Sequence, residues 1–371
     1  MNGAGVIAST VNTGEPNSRN LELALLCAVV DRTTMSHRGF ATFPYSFRAP
    51  KASTMTTPDL ITGNTWNLEI ADDGSFVRRA TGFRNLISRE RDAAHPPNAG
   101  RYHLYVSLAC PWAHRTLIVR ALKGLQDVIS VDVVHPHLTD TGWSFDTGFP
   151  GATGDRVGGF GLLQHVYRQA SPGYQGVITV PVLWDKQRKA IVNNESSEII
   201  RMLTSEFDAF SPHPDLDLYP VGLRAAIDET NAWIYPNINN GVYRCGFARS
   251  QRAYECAVDE LFRALDRAEA VLSASDYLCG QRLTEADIRL FTTLIRFDSV
   301  YHTHFKCNRR LIAQYPALHR FLARLYRLPG VAATVNLDHI RYHYYHSHRH
   351  INPTGIVPAG PDVLGPLAVA S

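Results

Sequence analysis

The stretch with the clearest chemical potential is Cys110-Pro111-Trp112-Ala113-His114-Arg115. The cysteine follows a strand-like run, and the proline after it belongs at a first helical position, where its missing N–H costs nothing. A sulfur placed there meets free N–H groups and the positive end of a helix dipole, which favour thiolate over thiol. Cys110 is therefore the candidate nucleophile. Ala113 occupies the position where a second cysteine would close an internal disulfide, so an adduct on Cys110 has to be resolved by an outside thiol. Two further motifs fit a groove around that sulfur. Val180-Pro181 places a proline inside a β-like run, as expected at an edge, a bulge or a cis turn. Asn193-Asn194-Glu195-Ser196-Ser197 reads as a helix start whose N–H groups and hydroxyl can hold a carboxylate, with Glu195 to receive an ammonium: a clamp for an amino-acid head group. Taken singly, each motif also has a plain structural reading, as a packed cysteine, an edge proline and an N-cap.

The elements that must position these residues follow from periodicity. Residues 101–108 (RYHLYVSL) read as a strand, with Tyr102, Leu104 and Val106 alternating against their neighbours, and residues 111–125 as a helix. Further strands are expected over 128–134, 177–184 and 190–192, and a helix over 195–203. Residues 135–176, Gly-rich and with little periodicity, read as a long functional insertion. That order is the order of an α/β thioredoxin-like domain. From about Val221 the signals are helical, as in 253–272 and 288–300, and Thr284-Glu285-Ala286-Asp287 forms a capping box ahead of the latter. An α/β thioredoxin-like N-terminal domain followed by an all-α C-terminal domain is the glutathione transferase plan. The expected division is a tail over 1–58, a thioredoxin-like domain over 59–205, a helical domain over 221–345 and an extension over 346–371. The tail is basic, hydroxylated and acid-poor. This composition suits a plastid or mitochondrial transit peptide, or else a tail without address on a cytoplasmic protein. Met35 and Met55 are internal starts that would shorten or remove it.

Composition excludes several functions. The 371 residues are 45% hydrophobic with a net charge of +3 and no dense Lys/Arg run, so no nucleic-acid partner is expected. No apolar run approaches the roughly 20 residues of a membrane span. The six cysteines form no C-x-x-C pair. His339, His343, His346, His348 and His350 cluster without a carboxylate or cysteine, and no metal site is expected.

RYHLYVSLACPWAHR, GWSFD, VPVLWD, NNESSEIIR, NNGVYRCGFA and HYYHSH with INPTGIVP, in that order, closely resemble the glutathionyl-hydroquinone reductases, the Xi class of glutathione transferases, from about residue 60 to the end. The resemblance implies a homodimer using glutathione as co-substrate, with no permanently bound cofactor, to reduce glutathionyl-hydroquinones. Cys110 would take the glutathionyl group. Trp143 would pack on glutathione, Val180 would pair with its backbone, and Glu195 with Ser196 would hold its γ-glutamyl end. Tyr243 corresponds to the proton donor to the leaving ring carbon, and Tyr301 and Tyr344 to tyrosines supporting the thiolate. Family members commonly carry a base in the stretch matching Gly176-Val177-Ile178-Thr179-Val180-Pro181. Here Val177 cannot supply it, so glutathione binds more weakly or Arg168 substitutes. Two other functions use the same groove: a glutaredoxin-like deglutathionylase, which needs Cys110 and not the tyrosines, and a non-catalytic ligand binder.

Overall fold

The computed structural model describes residues 69–368, so the 1–58 tail and its transit-peptide reading lie outside the described residues. Two short antiparallel strands, β1 (Glu69–Ile70) and β2 (Phe76–Val77), lead toward a four-stranded mixed sheet. The sheet is built from β3 (Tyr102–Val106), followed by α1 (Pro111–Leu122), β4 (Ser130–Val133), β7 (Val182–Asp185), β8 (Ala190–Asn193) and α3 (Ser196–Ser205). The strand order is β4-β3-β7-β8, with β3 and β4 parallel and the other pairs antiparallel. Between β4 and β7 lie a hairpin of β5 (Leu138–Thr139) and β6 (Gly142–Trp143), then α2 (Leu163–Ala170).

Three sequence expectations change. The 135–176 segment contains a hairpin and a helix, and it covers the sheet: Tyr105 donates from β3 to Asp155 of the segment at 3.1 Å. All five residues of β3 are therefore buried, so their alternation does not mark a wet face. The strand expected over 177–184 begins only at Val182, after the cis Val180–Pro181 bond, because proline has no N–H for the ladder.

Local chemistry sets the helix ends. Pro111 opens α1 with Cys110 as its N-cap. Gly124, at φ +66°, lies just past its end, where a Cβ would collide with the Pro212 ring. Glu195 caps α3 by accepting from the Ser197 N–H.

The helical region comprises α4 (Arg224–Ile234), α5 (Gly241–Phe247), α6 (Gln251–Ala274), α7 (Glu285–Arg296), the single turn α8 (His302–His304), α9 (Pro316–Tyr326) and α10 (Leu337–Ser347). At the start of α7 the Asp287 carboxylate accepts from the Thr284 N–H at 2.8 Å, and burial raises its pKa to about 6. Two π-helical turns, Tyr235–Asn239 and Phe297–Tyr301, lead into α5 and α8. Among the described residues no helix is long and apolar enough to cross a membrane.

Candidate active site

Cys110 sits in extended conformation at the start of α1 and is partly exposed. Its sulfur lies 3.5 Å from the Val180 carbonyl oxygen, so the cysteine and the cis-proline segment face each other. Burial pushes the thiol up. The N–H groups of Ala113 and Trp112 and the charges of Arg296 and Arg78 pull it down, and burial is the larger effect. The helix-start donors expected from sequence are present, but in this structure they do not by themselves bring the thiol below its ordinary value.

Arg296 was not visible in the sequence motifs. Fully buried at the end of α7, it donates to the Ala109 carbonyl at 2.9 Å and the Leu108 carbonyl at 3.1 Å, and so holds the turn that delivers Cys110. It also donates to His114 Nδ1 at 3.0 Å. A guanidinium can only donate, so Nδ1 accepts and the proton lies on Nε2, which donates to Thr334 Oγ1 at 2.8 Å. Burial first, then Arg296, holds the His114 pKa well below its ordinary value.

One end of the groove is polar. The Tyr167 hydroxyl on α2 donates to the Thr179 carbonyl at 2.8 Å and accepts from the Thr179 N–H at 3.3 Å and the Asn194 amide at 3.1 Å. It thereby ties the segment before Pro181 to the start of α3, a role hidden from sequence because α2 itself was. Ile178 is buried, while Val177 is half-buried and borders the cavity; its carbonyl accepts from Tyr174 at 3.2 Å. Glu195 accepts from the Ser197 N–H at 3.0 Å and the Ser197 hydroxyl at 2.9 Å, so it acts as an N-cap while also lining the cavity with Ser196. Beneath Ser196 lies Arg115, buried, donating to the Ser196 hydroxyl at 3.3 Å and to Asn239 at 2.9 Å. Burial first, then Arg289, lowers the Arg115 pKa to about 9. Arg168 is exposed on α2 and lines neither cavity, so it does not stand in for a base at position 177.

The other end is aromatic. An open cavity joins Cys110 to Trp112, Trp143, Tyr243, Phe247 and Tyr344. Trp143 stacks on His343 with ring centres 5.1 Å apart. The Tyr344 hydroxyl is 2.6 Å from that of Tyr243 and 3.0 Å from that of Tyr301. Burial raises all three phenols above their ordinary value, so they are protonated. The Cys110 thiol donates to the Val180 carbonyl, and Tyr301 stands behind Tyr344, outside the cavity lining. The two phenols expected to support the thiolate form a hydrogen-bonded chain leading to Tyr243.

Two of the C-terminal histidines hold the inserted segment. His339 donates to the Pro150 carbonyl and His343 to the Pro136 carbonyl, each at 2.8 Å, pinning α10 to the inserted segment. Among the described residues no three metal-ligating side chains cluster.

Residues 109–206 match the family model for the glutathione S-transferase N-terminal domain, and residues 224–324 match that for its C-terminal domain. The chain is 53% identical over 305 residues to the glutathionyl-hydroquinone reductase YqjG of Escherichia coli, covering 80% of this chain and 92% of that one. It is 50% identical over 300 residues to the glutathionyl-hydroquinone reductase PcpF of Sphingobium chlorophenolicum, covering 80% and 93%. The glutathione-bound structure of YqjG superposes with a TM-score of 0.73, covering 75% of this chain and 92% of that one. The crystal structure of glutathione-S-transferase Xi from Phanerochaete chrysosporium, 52% identical, superposes with a TM-score of 0.79 and covers 82% and 98%. With two glutathione S-transferase domain matches and relatives about half identical over most of its length, the chain belongs to the glutathione transferase family, in its Xi, or glutathionyl-hydroquinone reductase, class.

Proposed function

We propose that this chain reduces glutathionyl-hydroquinones to hydroquinones at the expense of glutathione. The Cys110 thiolate attacks the glutathionyl sulfur and the carbon–sulfur bond breaks. Its electron pair stays on the ring carbon, which takes a proton from Tyr243. The sulfur of Cys110 is left oxidised, as a mixed disulfide with glutathione. A second glutathione thiolate attacks the glutathionyl sulfur of that disulfide, returning the Cys110 thiolate and releasing glutathione disulfide. Glutathione lies with its backbone along Val180, its γ-glutamyl end at Glu195 and Ser196, and Trp143 against it.

The observation that carries this reading is the shared cavity of Cys110 and the protonated Tyr243–Tyr344 pair. A carbon leaving group needs a proton. A deglutathionylase acting on disulfides expels a sulfur that leaves as a thiolate and needs no phenol. The homodimer is part of the same proposal, and sedimentation of the purified chain tests it. The activity is tested by following glutathionyl-menadiol with glutathione. Turnover is expected with Cys110 intact and none with Cys110→Ala or Cys110→Ser, because a hydroxyl cannot carry the mixed disulfide. Reductase turnover surviving in either variant would overturn the mechanism.

A further inference from the structure

Three arginines follow β2 closely, and two of them are neutralised. Arg79 pairs with Glu69 at 2.7 Å, and Arg84 pairs with Glu198 through both nitrogens of its fork. Arg78 has no carboxylate partner among the described residues. Its Nε donates to the Asn240 side-chain oxygen at 2.7 Å, and its guanidinium carbon lies 4.8 Å from the ring centre of Tyr243, 5.0 Å from Trp112 and 5.5 Å from Phe76. A neutral amide and three rings hold the group in place and leave its charge uncompensated, with both terminal nitrogens able to donate.

Arg78 borders three adjoining cavities. The first holds Cys110 and Tyr243, and among the described residues Arg78 is the only Lys or Arg lining it, with no Asp or Glu opposite. The second runs along Val177, Thr179 and Tyr174. The third holds Glu195 and Ser196. A tripeptide thiol with its sulfur at Cys110 and one carboxylate over Ser196 has its other carboxylate to place. The cavity on the Val177 side, away from Ser196, is the remaining polar space.

We propose that Arg78 is the binding residue for the glycyl carboxylate of glutathione, supplying from the β2 side the cation that position 177 lacks. The assignment rests on the glutathione reading of the groove. A charge-assisted fork to a carboxylate is among the stronger hydrogen-bonding contacts, and its loss is felt in affinity.

The test compares glutathione with glutathione ethyl ester, in which the glycyl carboxylate is masked, by calorimetry on the full chain and on Arg78→Met and Arg78→Lys. The unaltered chain is expected to bind the ester roughly ten- to a hundredfold more weakly than glutathione. Arg78→Met should bind both ligands equally, at about the level of the ester on the unaltered chain. Arg78→Lys should keep part of the discrimination. If Arg78→Met weakens both ligands but preserves their ratio, the arginine only props the rings and the assignment is overturned. A rise in the hydroquinone KM with the ester ratio unchanged overturns it equally, since the cation would then serve the ring. Failure of the unaltered chain to bind glutathione would overturn the groove reading as well, whereas binding with an undiminished ratio removes Arg78 alone.

Discussion

At the Thr179–Ser196 end of the groove, the groups available to a ligand are backbone N–H and C=O, a hydroxyl and a capping carboxylate. All come from the α/β domain within a short span of chain. At the Tyr243–Tyr344 end they are rings from α5 and α10, backed by Tyr301 of the π-helical turn before α8 and brought together from positions far apart in sequence. The first end can hold a charged ligand without moving, because helix starts and fixed dipoles are already oriented. The second is a dry store of protons, because burial keeps phenols neutral. Cys110 lies between them, with its hydrogen bond to Val180 on the polar side. Binding and proton transfer are thus assigned to different domains and should fail separately.

The sharpest break is at the aromatic end. Tyr243→Phe removes the proposed proton donor and should lower turnover about a hundredfold, at the modest end of general acid effects. It should leave the KM for glutathione and the iodoacetamide reactivity of Cys110 little changed. Tyr344→Phe, one hydroxyl further along, should cost less, and Tyr301→Phe least. Equal losses would break the chain order. An upward shift of the Cys110 alkylation profile in Tyr344→Phe would show direct support of the thiolate by that phenol.

The polar end was largely legible in the sequence because its logic is local. Proline after Cys110, Val-Pro, and Glu195-Ser196 each carry their own backbone consequence. The phenols were assigned through family resemblance alone, since three buried tyrosines at 243, 301 and 344 have no spacing that announces a hydrogen-bonded chain. Sequence reasoning also missed α2, which hides in a Gly-rich stretch, and with it the grip of Tyr167 on Thr179. Arg296, Arg115 and Arg78 were missed for another reason. Their partners are carbonyls, amides and rings from distant elements, and no charge pattern along the chain marks such a site.

A second break is at the joint between the two domains. Arg296→Met strips donors from the carbonyls of Leu108, Ala109 and Thr292 and from His114. Leaving buried acceptors unsatisfied costs on the order of 1–3 kcal/mol each where no water replaces the donor, so a Tm lower by several degrees is expected. A cation near the sulfur favours the thiolate, so its removal should raise the Cys110 pKa and move the alkylation profile to higher pH. Arg296→Lys separates the two effects: it keeps the charge and the profile and loses the fork and the stability. A Met variant whose profile stays in place would show that Arg296 only holds the turn.

The smallest expected effect lies at Val177, where the polar end departs from the pattern the family resemblance suggests. Val177 is half-buried and borders the same cavity as Arg78, so an arginine there can extend into the groove and need not enter the core. Val177→Arg should lower the KM for glutathione only about threefold, because Arg78 is nearby and two like charges share one carboxylate less than additively. The gain should lie in KM and leave turnover unchanged, since the contact is remote from sulfur. It should also fade as salt rises, because a partly exposed ion pair is screened. In an Arg78→Met background the same substitution should help more, since the other cation on that wall, Arg79, is already paired with Glu69. Equal gains in both backgrounds would mean that the two positions do not share a ligand group. A lowered Tm with no gain in either would mean that Val177 is a packing residue and that the polar end holds glutathione without it.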